Sequence, residues 1–388
     1  GQCAGRRAWV RDRRTALAVS VDGAGPPAAA ARVDMARVEV VVPNFKRRLS
    51  GVTSTIVQLV PLQAKMIGVA TLGPGLPEHL PRIRWWQVPA LLRRPQGGRA
   101  RVWHARRNTE MLGGLILRHV FRAPLKLVFT SASQREHTRW TRFLIGRMDA
   151  VIATSRKTAA YLKVPNTVIM HGIDTARFRP PADRAEAARE VGLDPGQLYA
   201  GCFGRVRHQK GTDLFVDAMI ALLPHHPRWS AVVAGRATPQ HKAFEDDLKA
   251  RVAQAGLSDR ILFVGEHRDI DRWYRALSLY VAPQRWEGFG LTPLEAMASG
   301  VPVVATDVGA FSELVEDGVT GRIIPRDDLA AMTEAAGRLM ADDAIRIAAS
   351  KAGLERTRDH FALRNELNNL NEVYISLLSR NSNIYDET

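Results

Sequence analysis

The sequence predicts an α/β protein of two doubly wound, Rossmann-like domains facing each other across a cleft. Three observations carry that expectation. Short apolar runs rich in Val, Ile, Leu and Phe recur at the length of buried parallel strands. Longer stretches suited to crossover helices separate them. The whole pattern then restarts past a proline-marked junction, Phe178-Arg179-Pro180-Pro181. A chain of 388 residues, 46% of them hydrophobic, is long enough for two such domains and two cores.

Residues 1–34 stand outside this pattern. They are rich in Arg, Ala, Pro and Gly, lack the apolar core of a signal peptide, and precede Met35, which reads as a natural start. We expect a disordered or non-native extension there. The first domain, 35–180, has strand candidates at 38–42, 66–71, 101–104, 125–130, 150–153 and 167–170, with helices at 53–65, 109–120 and 156–162. The second domain, 181–361, has strands at 198–203, 231–234, 260–264, 279–282, 301–305 and 322–324, with helices at 212–223, 242–255 and 293–299. Residues 362–388 read as a last helix and a tail. In folds of this class ligands bind beyond the carboxyl ends of the strands, so the cleft between the domains is the expected site.

The net charge is +16, which points to an anionic partner. Nucleic acid, an anionic membrane face and a phosphorylated substrate all fit. The charge is uneven: between His79 and Arg147 there are fifteen Lys/Arg and two acids, Glu110 and Glu136, with Trp85, Trp86 and Trp140 in or beside the stretch. That mixture suits a membrane interface or a phosphorylated glycolipid, suits nucleic acid too, and is also what a solvated arginine-rich surface looks like. Two cysteines, Cys3 and Cys202, give neither a disulfide framework nor metal-type spacing, in keeping with a reducing, cytoplasmic setting. No apolar run reaches the roughly 20 residues that span a bilayer, so any membrane association is expected to be peripheral.

Two segments carry chemistry. The first runs from Phe203 through Gly204, Arg205 and Lys210 to Gly211, between a strand and a helix. Its glycines permit close backbone approach, and Arg205 and Lys210 together can neutralise a diphosphate, including charge that develops as it departs. A basic surface loop with a glycine turn is the structural alternative. The second runs from Glu287 through Gly288, Phe289, Gly290, Leu291, Thr292, Pro293 and Glu295 to Gly300, Pro302 and Val304: loop, helix, glycine stop, strand. Thr292 is a good N-cap and Pro293 a good first helical residue. Thr292 and Glu295 also form a capping-box pattern, so Glu295 has a purely structural reading. Free backbone amides at Gly288 and Gly290 beside a helix start suit an anion. A carboxylate next to an anion site is tolerable where it accepts bonds from the hydroxyls of a sugar or ribose.

Arg205 and Lys210 followed by Glu287 and, eight residues on, Glu295 resemble the retaining GT-B glycosyltransferases of family 4. The stretch Val301–Thr306 and the later Gly318-Val319-Thr320-Gly321 match the same family. The resemblance covers the chain from about Val38 and is most specific between Gly201 and Ile324. It implies that Arg205 and Lys210 hold the donor diphosphate, Glu287 the transferred sugar and Glu295 the nucleotide ribose. Gly204, Gly288, Phe289, Gly290 and Leu291 would complete the nucleotide-sugar site. No metal and no other cofactor is implied, only a nucleotide-diphosphate sugar as co-substrate.

First-domain correspondences are weaker. Ser50-Gly51-Val52 stands where the family has a Gly-Gly loop, so Gly51 is a donor-site candidate. His171-Gly172-Ile173-Asp174 matches a hinge turn. His104 stands where the family has the first histidine of a His-x-His, and is a catalytic candidate or a hydrogen-bonded structural residue. Arg106 and Arg107 are candidates for an anionic acceptor. The 103–108 stretch, with 42–47 near the start, is similar to the lipopolysaccharide core mannosyltransferases of Gram-negative bacteria. That similarity implies GDP-mannose, an acidic glycolipid acceptor and a place at the cytoplasmic face of the inner membrane, with no nucleic acid involved. A UDP-sugar enzyme of the same fold, a basic nucleic-acid-binding α/β protein and a noncatalytic glycolipid-binding scaffold are the competing readings.

Overall fold

The computed structural model describes residues 33–47, 51–98 and 100–379. The expectations for residues 1–32, with Cys3, and for Ser50 lie outside the described residues. Strands β1 (Val40–Pro43), β2 (Val69–Leu72), β3 (Arg82–Ile83), β4 (Arg101–Ala105), β5 (Leu125–Ser131), β6 (Ala150–Ala153) and β7 (Thr167–Val168) form one sheet in the order β3-β2-β1-β4-β5-β6-β7. Strands β8 (Leu198–Phe203), β9 (Trp229–Ala234), β10 (Ile261–Gly265), β11 (Leu279–Ala282), β12 (Val303–Thr306) and β13 (Gly321–Ile324) form the other, ordered β10-β9-β8-β11-β12-β13. Every pairing within both sheets is parallel. The two-residue edge strand β3 has no apolar run and was not expected.

Alternation along each strand splits the residues between two apolar layers. In the first sheet Val41, Trp103, Ala105 and Leu127 pack into one layer, while Val40, Val42, Val102 and Val128 pack into the other. In the second sheet Tyr199 and Phe203 face away from Ala200 and Cys202 in the same manner. Both faces of both sheets are therefore covered, as parallel sheets require. At the proline-marked junction Phe178 is buried edge-on against Tyr274 in the second core.

The C-terminal helix, Leu363–Ser379, does not stay with the domain that precedes it. It crosses back onto the first sheet, and Leu363, Leu367, Leu370, Tyr374 and Leu377 share a buried layer with Val40, Ile56 and Val128. Its apolar spacing of three and four residues is the stripe such docking needs. In each sheet the strand order reverses at one place, between β1 and β4 and between β8 and β11. The loops leaving these strands meet across the cleft.

Candidate functional site

A cleft of about 1030 Å³ lies between the domains. Its first-domain wall includes Lys46, Arg106, Arg107, Thr130, Ser131, Arg135 and His137, and its second-domain wall includes Lys210, Trp286, Glu287, Gly288, Phe289, Gly290, Leu291 and Glu295. The loops after β1, β4 and β5 thus face those after β8 and β11, at both topological switch points.

On the second-domain wall, Lys210 Nζ forms an ion pair with Glu287 Oε2, and both side chains are about one-fifth exposed. Glu287 Oε1 accepts from the Gly288 amide at 3.1 Å. Arg285 fixes the basic loop: its guanidinium donates two 2.8 Å bonds to Asp213 and one of 2.6 Å to the His208 carbonyl. The Arg285 amide donates to the Gln209 carbonyl at 3.0 Å. Lys210 is thereby delivered to the cleft on a braced segment. Gly290 sits at φ 85°, and a Cβ there would meet the Phe311 ring at 2.3 Å, so the turn before the helix Thr292–Ala298 demands glycine.

The capping-box expectation at this helix is corrected. Leu291 is the N-cap and Thr292 the first helical residue, so Glu295 is one position too deep to reach back to the cap amide. Its Oε2 instead accepts from the Tyr274 hydroxyl at 2.8 Å. Burial raises the Glu295 carboxyl above the ordinary glutamate value, and the Tyr274 bond offsets this only in part. A half-buried carboxylate in the cleft wall, held by one tyrosine, keeps capacity to accept ligand hydroxyls.

Arg205 and Gly204 are placed differently from Lys210. Both are exposed on the loop after β8 and are not among the cleft-lining residues. The sequence shows a cation two residues past a strand but not the direction in which its side chain leaves. Gly51 is the first residue of the helix Gly51–Gln63, whose Thr55 and Gln58 line the cleft.

On the first-domain wall His104 is fully buried beneath the cleft and does not line it. Its Nδ1 lies 2.6 Å from the Tyr374 hydroxyl and its Nε2 2.6 Å from Thr130 Oγ1. Burial, then Arg106, push its pKa well below the usual histidine value, so the ring is neutral. Direct contact with substrate is therefore replaced by support: His104 ties the C-terminal helix to Thr130, which does line the cleft. Arg107 is committed to Glu110 Oε1 at 2.7 Å and Asn44 Oδ1 at 2.8 Å, bracing the loop after β1. Arg106 differs. Its Nη1 is buried with no hydrogen-bond partner, and so is Nε2 of His137. Burial lowers the Arg106 pKa, while Tyr374, Glu110 and Glu366 act in the opposite sense. Two orphaned nitrogens in one cleft wall are costly unless a ligand satisfies them.

Sequence reasoning missed His137 and Arg135, which sit in a loop without motif context, and Trp286, which directly precedes the segment that starts at Glu287. The hinge turn is held by Glu366 of the C-terminal helix, 2.8 Å from both His171 Nδ1 and the Gly172 amide, and His171 packs edge-on against Phe289 at 4.9 Å. An Asp-x-Asp tripeptide, Asp269-Ile270-Asp271, is present, but Asp271 is engaged by Arg177 and Arg275 and Asp269 by Arg272. Among the described residues no group of three or more His, Cys, Asp or Glu side chains is placed to hold a metal ion.

Two parallel sheets, opposed switch points and a charged cleft between them define a GT-B glycosyltransferase. The family profile described as Glycosyl transferases group 1 matches residues 197–342, and this chain belongs to that family. The lipopolysaccharide core biosynthesis mannosyltransferase LpsB of Rhizobium meliloti (strain 1021) is 65% identical over 351 residues, 89% of this chain and 99% of the relative. The lipopolysaccharide core biosynthesis mannosyltransferase LpcC of Rhizobium leguminosarum bv. viciae is 58% identical over 349 residues, 90% of this chain and 99% of the relative. Among solved structures, Anabaena Alr3699/HepE in complex with UDP aligns with a TM-score of 0.76 at 18% identity, covering 87% of this chain and all of that one. Sucrose-phosphate synthase of Thermosynechococcus elongatus aligns at 0.73 and 22%, covering 89% and 100%. At these identities the structures speak for the fold alone.

Proposed function

We propose that this chain transfers mannose, with retention, from GDP-mannose to the acidic inner core of lipopolysaccharide, working at the cytoplasmic face of the inner membrane. The relatives named for lipopolysaccharide core mannosyl transfer span almost the whole chain, and the observation that carries the reading is the division of charge in the cleft. The second-domain wall carries a cation and two acids, Lys210 ion-paired with Glu287 and Glu295 held by Tyr274, the set a nucleotide-diphosphate sugar needs. The charged side chains of the first-domain wall are cations alone, Lys46, Arg106 and Arg135, with Arg107 already paired. This supports a division of labour in which 35–180 binds the acceptor and 181–361 the donor. A volume near the top of the range for ligand sites, roughly 300–1,000 Å³, suits a donor with part of an acceptor.

In this scheme Lys210, the amides at Gly290 and Leu291 and, on closure of its loop, Arg205 stabilise the diphosphate as the bond from C1 of the sugar to its oxygen breaks. The acceptor hydroxyl bonds to C1 from the same face and gives its proton to the departing diphosphate oxygen. Glu287 accepts bonds from the sugar and Glu295 from the ribose; Gly204, Gly288 and Phe289 shape the pocket, and Gly51 faces it from the first domain. Arg106 receives the acceptor's acidic group. No metal ion enters the scheme.

The test is thermal unfolding with GDP-mannose, GDP, UDP-glucose and UDP, each with and without EDTA. A ligand that binds only the folded state raises Tm by mass action. GDP-mannose is expected to raise Tm with EDTA present and UDP-glucose to leave it unchanged; a shift from UDP-glucose alone transfers the reading to a UDP-sugar enzyme.

A further inference from the structure

We infer that the helices Asn108–His119 and Arg139–Ile145, on the first domain beside the cleft mouth, form one face that docks on an anionic lipid bilayer. This rests on the glycolipid reading above and names the surface through which it operates. The two helices lie side by side and run the same way. Near their starts Asn108 Nδ2 donates to Thr141 Oγ1 at 2.8 Å, and at their far ends Arg118 bonds the Arg147 carbonyl at 2.8 Å and Asp149 at 2.6 Å. Leu112, Ile116 and Val120 stand four residues apart and form one stripe; all three are exposed, as is the adjacent Phe121. On the neighbouring helix Trp140 and Phe143 are half exposed and stack on each other at 5.7 Å. Six large apolar side chains turned to solvent, four on two adjoining helices and two directly past the end of the first, exceed the scattered exposure of an ordinary surface.

The charge around them selects the occupant. Arg122, Arg139, Arg142 and Arg147 are exposed, and among the described residues none of them has an acidic partner. Arg147 instead lies over the Phe143 ring, 4.9 Å from its centroid. The nearby acids are spent: Glu110 on Arg107, Asp149 on Arg118, Glu136 on Lys163. Apolar side chains flanked by unpaired arginines match the acyl boundary and headgroups of an anionic membrane. A second copy of this chain would bring like charges together. Asn108 and Thr141 also line the cleft, so a bilayer on this face lies next to the opening through which a lipid-anchored acceptor must enter.

The experiment is co-sedimentation of the full chain with phosphatidylcholine vesicles, with and without phosphatidylglycerol. Binding is expected only with the anionic lipid and is expected to weaken with salt. W140A/F143A should lower vesicle affinity on the order of tenfold, and R139E/R142E by more. Both should retain the wild-type Tm and wild-type transfer to a detergent-dispersed acceptor. F121S serves as a third variant should either double substitution lower Tm. No binding to anionic vesicles, binding that all three variants leave unchanged, or a dimer in sedimentation equilibrium that they dissociate would each overturn the inference. If transfer fails in the unmodified chain while vesicle binding behaves as expected, the proposed function is what fails.

Discussion

Lys210 and Glu287 hold each other in the cleft wall, and under the proposed function a donor exchanges that pair for contacts of its own. Their partial exposure keeps the pair's contribution to folding small, about 1 kcal/mol or less, whereas in the proposed scheme a cation beside a departing diphosphate is worth far more in rate. Lys210→Ala is expected to lower kcat/KM by about 10²–10³-fold while Tm moves little; steady-state transfer assays beside thermal melts check both halves. Glu295 behaves differently because burial, opposed by Tyr274, makes it keep its proton to higher pH than an ordinary glutamate. Over that window the folded chain carries a proton the unfolded chain has lost, so this group's effect is to lower stability as pH rises. Glu295→Gln removes the effect. The variant should melt above wild type at pH 7, with the gap closing toward pH 4, and should bind donor about tenfold more weakly through loss of a charged acceptor. Equal melting curves at both pH values would mean that the carboxyl is not strained by burial.

At the scale of elements, what could be read in advance depended on how local the cause was. The apolar runs of β8 and β11, the glycine turn at Gly290 and the helix that follows it were legible because neighbouring residues dictate them. The start of that helix slipped by one residue because Thr292 and Pro293 both suit a first turn, and helix ends are the least sharply written part of a sequence. Long-range placement was not legible. The C-terminal stripe announces a helix, but not that Tyr374 will meet His104, 270 residues earlier, or that Glu366 will fasten the turn at Gly172. Nor does sequence show that Arg107 is consumed by Glu110 while Arg106 keeps a free nitrogen. Tyr374→Phe tests the helix contact. It leaves a buried histidine nitrogen unpaired and should cost about 1–3 kcal/mol in urea unfolding, with donor affinity unchanged, because the contact lies beneath the first domain.

For the molecule as a whole the spacing between domains is the quantity that matters. It is set in part by Gly288, where a Cβ would stand 2.8 Å from the carbonyl oxygen of Ala132 across the cleft. That oxygen belongs to backbone and cannot swing aside, so Gly288→Ala must part the two loops. A displacement of even about 1 Å at a reacting centre is worth on the order of 10²-fold in rate. Gly288→Ala should therefore lose activity to that extent with each domain intact, which circular dichroism and small-angle scattering would register as unchanged secondary structure and a wider cleft.

The return of Leu363–Ser379 to the first sheet also bears on how the chain is made. Val40, Val42, Ile56 and Val128 wait for Leu367, Leu370 and Tyr374 to cover them, and the ribosome supplies those residues only after both sheets have been synthesised. The half of the protein translated first is thus completed last, and throughout synthesis it presents an apolar surface of the kind that recruits chaperones. Ribosome-bound chains arrested before residue 363 should be cut by protease within residues 40–168 while the 198–324 unit is already resistant.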